Sequence, residues 1–520
     1  MKSLRYWIPL ICFFSGGSVM LIELAGIRLL APVFGNSLYT WTALIGVILF
    51  ALSAGDWIGG WLVDRKPSLG LVALFFSLAS VMTFLIVPCS GDLESMSTMD
   101  LRWGPLAASL LLFFAPACLL AAITPTCVRL LSRVSHDKHV GLSAGTVGMC
   151  GAVGSFCGTI LSGFYLIPEF GVRRVFLVLG LLQLALAALV CVLHKTPRGK
   201  LSALAGIWLI SGMLAIMGIL PQPASRQTVY LKDTPYHRIK VTEVSTLAGE
   251  KIRYLWQDTV LQGGEYVGSE KPGSPYLYYW QLAQVYAPEL RSALFVGGGA
   301  FVMPKRIAAA FPGSVVDVVE IDPATVEVGN AFFNLQNHPA VRVHNDDARR
   351  FMRNATAQWD LIFCDAYSGL YSMPAHLVTR EFFQGVRDKL NPGGVCMINF
   401  AGVVEGPNAR LFHTFFNTVK SVFPNVVVYA VESPMRLTDM QNLIFVASAA
   451  RDLDKDAWNW LAAHAGKPEA QPLAALLSNR CNILPDARWN GMVFEDDRNP
   501  VELLTVQMCV GLAEERKFRN

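Results

Sequence analysis

The sequence predicts a two-part protein, an N-terminal α-helical transmembrane bundle followed by a doubly wound α/β domain. Three observations carry this. The first 220 residues are close to unbroken apolar stretches, in a chain of 520 residues that is 53% hydrophobic and only 16% charged. Beyond Ala293, apolar runs of strand length alternate with helical stretches, the pattern of a mostly parallel sheet. The first of those runs ends in three consecutive glycines, Gly297, Gly298 and Gly299.

In the N-terminal part, seven apolar stretches stand at about 7–29, 39–62, 70–89, 105–127, 141–167, 173–194 and 201–220. Each is near the roughly 20 residues that cross a bilayer as a helix. The first runs on through Glu23 and Arg28 without a small-residue cleavage site, so it reads as a span rather than a cleaved signal. Gly141/Gly145 and Gly154/Gly158 in the fifth, and Gly55, Gly59 and Gly60 in the second, have the small-residue spacing that lets helices approach closely. Glu23, Arg28 and Asp56 are ionisable groups in or near membrane segments. They call for a partner or a polar cavity, with a Glu23–Arg28 ion pair as one reading and a polar ligand site as the other.

Lys2, Arg5, Arg65, Lys66, Arg129, Arg133, Lys138, Lys195, Arg198 and Lys200 fall on one side of a seven-span arrangement, against Arg102, Arg173 and Arg174 on the other. The excess of positive charge puts the amino terminus in the cytoplasm and, after seven spans, the soluble part outside. Net charge is +4, and no basic run with interleaved aromatics points to nucleic acid. No cysteine/histidine spacing points to a metal, and Cys481 and Cys509 carry no spacing that specifies a disulfide.

In the C-terminal part, A-L-F-V-G-G-G-A is an apolar strand ending in a turn where a Cβ would obstruct a ligand. V-V-D-V-V-E-I-D follows about twenty residues later and ends at Glu320 and Asp322. A carboxylate at that spacing grips ribose hydroxyls in doubly wound domains. V-R-V-H-N-D-D-A places Asp346 and Asp347 between a short strand and a helix. W-D-L-I-F-C-D-A-Y-S stops its apolar run at Asp365. Asp322, Asp347 and Asp365 are thus expected along the carboxyl ends of the strands, where such sheets bind ligands.

From about Thr234 to Ala449 these residues resemble the spermidine synthases, relatives of the S-adenosylmethionine-dependent class I methyltransferases. The glycine turn, Glu320-Ile321-Asp322, Asp347-Ala348 and Asp365 follow the order of that family's G-G-G-D-G, E-I-D, D-A and D-S-S-D elements. The resemblance implies a Rossmann-like class I methyltransferase/spermidine synthase domain with a small β-hairpin lid region. It implies S-adenosylmethionine or decarboxylated S-adenosylmethionine as cofactor, with no metal. Cofactor contacts fall to Gly297–Gly299, Glu320 or Asp322, Asp346, Asp347 and, from the Q-D-T-V-L-Q hairpin, Gln262. Asp365 falls in the place of the base that deprotonates an attacking amine. Tyr276, Tyr367, Ser368, Tyr371 and His376 would line the acceptor pocket. E-L-A-G-I-R-L-L-A-P-x-F-G and G-D-W-I-G-G-W-L-V-D-R resemble the membrane part of a fused branch of the same family. The resemblance also allows a homodimer built through the lid.

Departures from the family pattern keep three functions open. Ala300 replaces an aspartate that holds the donor's amino group, Ser368 replaces a second loop aspartate, and Tyr276–Tyr279 keeps a tyrosine but loses an acid. The first function is a membrane-embedded aminopropyl transferase acting on a small-molecule amine. The second is a methyltransferase for an amphiphilic, membrane-delivered acceptor. The third is a non-enzymatic carrier or sensor with a nucleoside-binding domain. Each places the chain in the cell membrane as a multi-pass protein in contact with the lipid bilayer. Cofactor supply favours the cytoplasmic side for the soluble part, opposite to the charge bias. The expected regions are 1–221 (bundle), 222–285 (linker and β-rich lid, with a linker at 221–225), 286–450 (nucleoside-binding domain) and 451–520 (helical tail).

Overall fold

A computed structural model describes residues 4–35, 37–90, 93, 102–134, 140–194, 198–219, 227–367, 373–483 and 491–519. The expected linker at 221–225 and two expected pocket residues, Ser368 and Tyr371, lie outside them, as do Lys2, Lys138 and Lys195. The chain divides into two compact units, residues 1–225 with 232–238, and residues 226–231 with 239–520. Of the regions expected separately as lid, nucleoside-binding domain and tail, residues 226–231 and 239–520 fall within one unit.

The first unit contains α1 (Leu4–Phe34), α2 (Leu38–Arg65), α3 (Leu69–Cys89), α4 (Trp103–Ala121), α5 (Ile123–Val134), α6 (Val140–Leu161), α7 (Ile167–His194) and α8 (Arg198–Ile219). Ser37 and Ser68 start α2 and α3 by accepting hydrogen bonds from the Thr40 and Gly70 backbone N–H groups, which satisfies donors that the helix leaves unpaired. Five continuous stretches among the described residues are long and apolar enough to cross a membrane: Arg5–Phe34, Leu38–Arg65, Leu69–Cys89, Trp103–Arg133 and Val140–Leu193. The count differs from the seven separate spans expected. The expected fifth and sixth run together through a π-helical turn at Ser162–Leu166 and a bend at Gly171, and Leu204–Met217 is shorter.

The glycines expected to mediate close packing divide by face. A Cβ on Gly154 would overlap the Phe13 carbonyl oxygen, and one on Gly158 would lie 2.6 Å from that of Gly17, so this face of α6 is pressed backbone to backbone on α1. Gly55 and Gly59 meet Cys118 and Ala122 in the same way, whereas Gly60, Gly141 and Gly145 have open space where a Cβ would go. Polar side chains tie helices across the unit. Ser80 Oγ donates to the Gly180 carbonyl at 2.9 Å, Thr83 Oγ1 to Gln183 Oε1 at 2.9 Å, and Trp208 Nε1 to Ser77 Oγ at 2.9 Å. Arg28 Nη1 donates to the Tyr236 carbonyl at 2.7 Å, Glu23 is half-buried and Asp56 is exposed.

The second sequence half builds two sheets. Strands β1 (Thr228–Asp233), β2 (Arg238–Ser245), β3 (Lys251–Gln257) and β4 (Val260–Tyr266) form a four-stranded sheet in chain order, larger than the hairpin expected. Strands β5 (Ser292–Val296), β6 (Val315–Glu320), β7 (Val341–Asn345), β8 (Trp359–Cys364), β9 (Leu390–Gly402), β10 (Asn425–Ala430) and β11 (Gln441–Ser448) form a seven-stranded sheet of order β10-β11-β9-β8-β5-β6-β7. The pairs among β7, β6, β5, β8 and β9 are parallel, while β11 runs antiparallel to both β9 and β10.

Helices α9 (Ala283–Tyr286), α10 (Val302–Ala310), α11 (Pro323–Phe332), α12 (Ala348–Asn354), α13 (Arg380–Asp388), α14 (Arg410–Lys420), α15 (Leu453–Ala463), α16 (Gln471–Ser478) and α17 (Val501–Arg519) complete the half. Both faces of the larger sheet are covered, which is why its strands read as near-continuous apolar runs. Phe295 and Phe363 stack at 5.4 Å on one face, while Leu294, Val296, Ile362 and Cys364 pack into the core on the other. Cys481 and Cys509 are free thiols.

Candidate active site

The glycine turn follows β5 and is shaped by backbone that other residues avoid. Gly297 has φ +97° and Gly299 φ +49°, values that cost little only without a Cβ. A Cβ on Gly297 would overlap the carbonyl oxygen of Asp365, and one on Gly299 would lie 3.1 Å from the carbonyl oxygen of Gln262. Glu320, buried at the end of β6, braces this turn. Its Oε2 accepts from Gly298 N–H and its Oε1 from Asp322 N–H, both at 2.9 Å.

The remaining acidic residues of this edge sit at helix starts. Asp322 is fully buried and caps α11, with Oδ1 accepting from Ala324 N–H at 3.0 Å. Asp322 and Glu320, the two carboxylates offered for a ribose contact, are thus both buried at this strand end. Asp346 pairs with Arg350 one turn along α12. Asp347 caps α12 by accepting from Arg350 N–H at 2.9 Å, and its Oδ2 meets His376 Nε2 at 2.9 Å. Burial tends to raise the Asp347 carboxyl, but the Arg350 N–H and the His376 ring outweigh it and hold it below the usual carboxylate range. His376, expected to line the acceptor pocket, thus sits beside Asp347. The 3-10 turn at Ala375–Leu377 carries it to the start of α12.

Asp365 follows β8 and is anchored by its N–H to the Val296 carbonyl at 2.9 Å. It opens on a cavity of about 400 Å³ lined by Trp256, Thr259, Val260, Leu261, Gln262, Ser274, Pro275, Tyr276, Asp365, Tyr367, Asn399, Ala401, Val431, Glu432 and Asn442. Four expected site residues meet here, Gln262, Tyr276, Asp365 and Tyr367. The glycine turn, Glu320, Asp322, Asp346 and Asp347 are not in the lining. Among the described lining residues the charged side chains are Asp365 and Glu432, both acidic. Burial pushes the Asp365 carboxyl up to about 6, opposed by a hydrogen bond from Asn399. Burial, and then the nearby Asp365 charge, raise the Tyr276 and Tyr367 hydroxyls well above the ordinary phenol value. Both hydroxyls therefore act as donors, Tyr276 to the Gln262 carbonyl at 2.9 Å and Tyr367 to the Asn399 carbonyl at 3.2 Å.

Sequence reasoning missed Glu432, Asn399, Asn442 and Trp256. The two asparagines and Glu432 come from β9, β11 and the residue pair after β10, and no local motif marks them. An acidic side chain two residues past the apolar run of β10 is the one available signal for Glu432.

Residues 280–455 match the family model of the spermine/spermidine synthase domain. The chain is 33% identical over 152 residues to the polyamine aminopropyltransferase of Vibrio vulnificus, covering 29% of this chain and 49% of that protein. The match thus spans about half the length of that relative. It is 23% identical over 508 residues to the polyamine aminopropyltransferase of Mycobacterium tuberculosis, covering 90% of this chain and 93% of that one. Among solved structures, a probable spermidine synthase from Corynebacterium glutamicum aligns with a TM-score of 0.39 and 19% identity, over 52% of this chain and 98% of that chain.

Proposed function

We propose that this chain, whose C-terminal half is spermidine synthase-like, is a membrane-embedded aminopropyl transferase that moves the aminopropyl group of decarboxylated S-adenosylmethionine to an amine, with Asp365 as the base. The observation that carries this reading is the cavity beside Asp365. Its described lining has two carboxylates, no cationic side chain and several aromatic faces, Trp256, Tyr276 and Tyr367. Such a lining suits a cationic guest, through charge and through cation–π contact. The names carried by the relatives, polyamine aminopropyltransferases, fit an amine in that place.

The chemistry asks little of the protein. A sulfonium carbon is already electrophilic, so the work is to align the amine with it and to remove a proton. The amine arrives as an ammonium ion and gives one proton to Asp365. Its nitrogen lone pair forms the new N–C bond while the C–S bond breaks and the thioether leaves. A carboxyl near 6 is ionised at neutral pH yet basic enough to share that proton, the match a general base needs. The glycine turn supplies the close backbone approach for a nucleoside, Glu320 braces it, and Asp347 and Gln262 complete the contacts that the family resemblance implies. The apolar helices of the first unit hold the enzyme in a lipid bilayer as a multi-pass protein.

A methyltransferase remains the second reading because Ala300 is buried where a donor-binding acid would stand. Full-length protein in detergent, given either donor and a series of amines, separates the two. Release of methylthioadenosine from the decarboxylated donor is expected. Methyl transfer from S-adenosylmethionine, with no turnover of the decarboxylated form, would replace this reading with the second.

A further inference from the structure

Asp365, Asn399 and Asn442 stand in a row across three neighbouring strand positions. Asp365 follows β8, Asn399 lies on β9 and Asn442 on β11, and these strands are adjacent in the order β11-β9-β8. Asn399 Nδ2 donates to Asp365 Oδ1 at 2.9 Å, and Asn442 Nδ2 donates to Asn399 Oδ1 at 2.9 Å. Asn399 is buried and Asn442 half-buried, and all three line the cavity.

A carboxamide can sit in either of two flips that present opposite chemistry, a donor NH2 or an acceptor oxygen. An ionised carboxylate accepts only, so Asp365 needs the NH2 of Asn399 facing it. With the flip reversed, the Asn399 oxygen would face Asp365 and favour the protonated acid. Nothing in Asn399 itself chooses between the two. Asn442 does, because its own NH2 pairs with the Asn399 oxygen and leaves the Asn399 NH2 pointing at Asp365. Buried polar chains of this kind are costly when half-satisfied, so each member fixes the next.

We propose that Asn399 and Asn442 are positioning residues for Asp365. Asn442 locks the flip of Asn399, and Asn399 occupies Oδ1 so that Oδ2 is the oxygen that takes the proton of the acceptor. The inference rests on Asp365 as the base, and it assigns a role to a residue, Asn442, whose hydrogen bond is to Asn399 rather than to the carboxylate. Other titratable groups around Asp365 are Tyr276, from the 3-10 turn at Pro275–Leu282, and Tyr367, two residues on; both feel its charge. Glu432 lines the same cavity.

The test reads Asp365 directly, without turnover. Infrared titration of the full-length protein in detergent follows the protonated-carboxyl band that disappears in Asp365→Asn. In the unaltered protein its midpoint is expected near 6. Asn399→Ala removes the donor and should move the midpoint up by about one pH unit, the size of effect that a hydrogen bond to the charged form exerts. Asn442→Ala should move it in the same direction by a smaller amount, and Asn442→Gln, which keeps a donor amide, should restore part of the shift. Melting temperature checks that the variants fold, and Asn442→Leu, of similar size and without a donor, serves if the alanine variant does not. A midpoint unchanged in every folded Asn442 variant while Asn399→Ala shifts it overturns the role of Asn442, and no shift in either overturns the proposal. Shifted midpoints in a protein that transfers no aminopropyl group would keep the positioning and remove the proposed function.

Discussion

Gly297 lies directly against Asp365, so close that a Cβ on the glycine would overlap the aspartate's carbonyl oxygen. The glycine turn and the proposed base are therefore adjoining pieces of backbone. Val296 accepts the Asp365 N–H, and Gly297 N–H reaches the Val319 carbonyl at 2.9 Å. Parallel pairing of β5 with both β6 and β8 puts all three strand ends at one edge, so the glycine turn, Glu320 and Asp365 lie along it.

Gly297→Ala is expected to damage the protein on two counts, the left-handed φ of +97° and the clash with Asp365. Backbone strain alone costs about 1–3 kcal/mol. Thermal melting should fall, and calorimetric binding of methylthioadenosine should weaken more than melting alone explains. Gly313→Ala, at a positive φ with open space around it, should lower melting while leaving binding intact. Equal binding loss in both variants would detach the turn from the ligand.

On the proposed reading, Asp365→Asn removes the proton acceptor and keeps the shape. Turnover is expected to drop by roughly 10²–10⁴-fold, the usual worth of a general base, with methylthioadenosine binding nearly unchanged. In the unaltered enzyme the rate should fall on the acid side with a midpoint near 6, because the protonated acid cannot accept. The same group bears on stability with the opposite preference. Its folded value lies above 3.8, so the folded state holds more protons in between. Stability from this group is full below about pH 4 and is lost as pH rises through about 6. Asp365→Asn should flatten that part of the pH–stability curve, as chemical denaturation at several pH values would read.

Glu432→Gln tests the second carboxylate of the cavity. Glu432 is exposed on the wall, where ion pairs are worth about 0.2–1 kcal/mol. The KM for a cationic acceptor should rise by roughly two- to fivefold, with kcat little changed. The difference from the unaltered enzyme should shrink as salt is added, since exposed charges are screened. A fall in kcat at constant KM would place Glu432 in the chemistry rather than in binding.

The contrast between Asp365 and Glu432 shows what the sequence can carry. Asp365 ends an apolar run after a glycine turn, and local spacing is enough to propose it. Glu432 joins it only because β10 and β11 add antiparallel to the edge beyond β9, a pairing over long sequence distance. Asn399 and Asn442 likewise become neighbours through the β9–β11 register, which pairs Ile444 with Asn399 and Asn442 with Ala401. His376 shows the reverse case. Its place in the sequence suggests the acceptor loop, but the chain's turn at Pro374 takes it to Asp347, and loop direction leaves no periodic trace. In the helical half, composition identifies apolar stretches well. It does not show that 140–193 runs on as one 54-residue helical stretch, because a π-turn and a bend need no break in hydropathy.

Gly154 and Gly145 separate two uses of the small residues on α6. Gly154 is pressed on the Phe13 backbone of α1, while Gly145 has open space where its Cβ would be. In lipid, helix association depends on such backbone approach, because apolar side chains gain little by leaving the hydrocarbon. Gly154→Val should therefore force α1 and α6 apart and lower the melting temperature of the detergent-solubilised protein. The cost is expected at about 1–3 kcal/mol or more, as for overpacking a tight core. Gly145→Val should leave melting unchanged within error if that face meets only lipid. A fall in apparent mass with Gly145→Val, measured by light scattering with detergent subtracted, would instead show the open face holding two copies together. A Gly154→Val protein that melts normally would mean that α1 and α6 do not pack through this face.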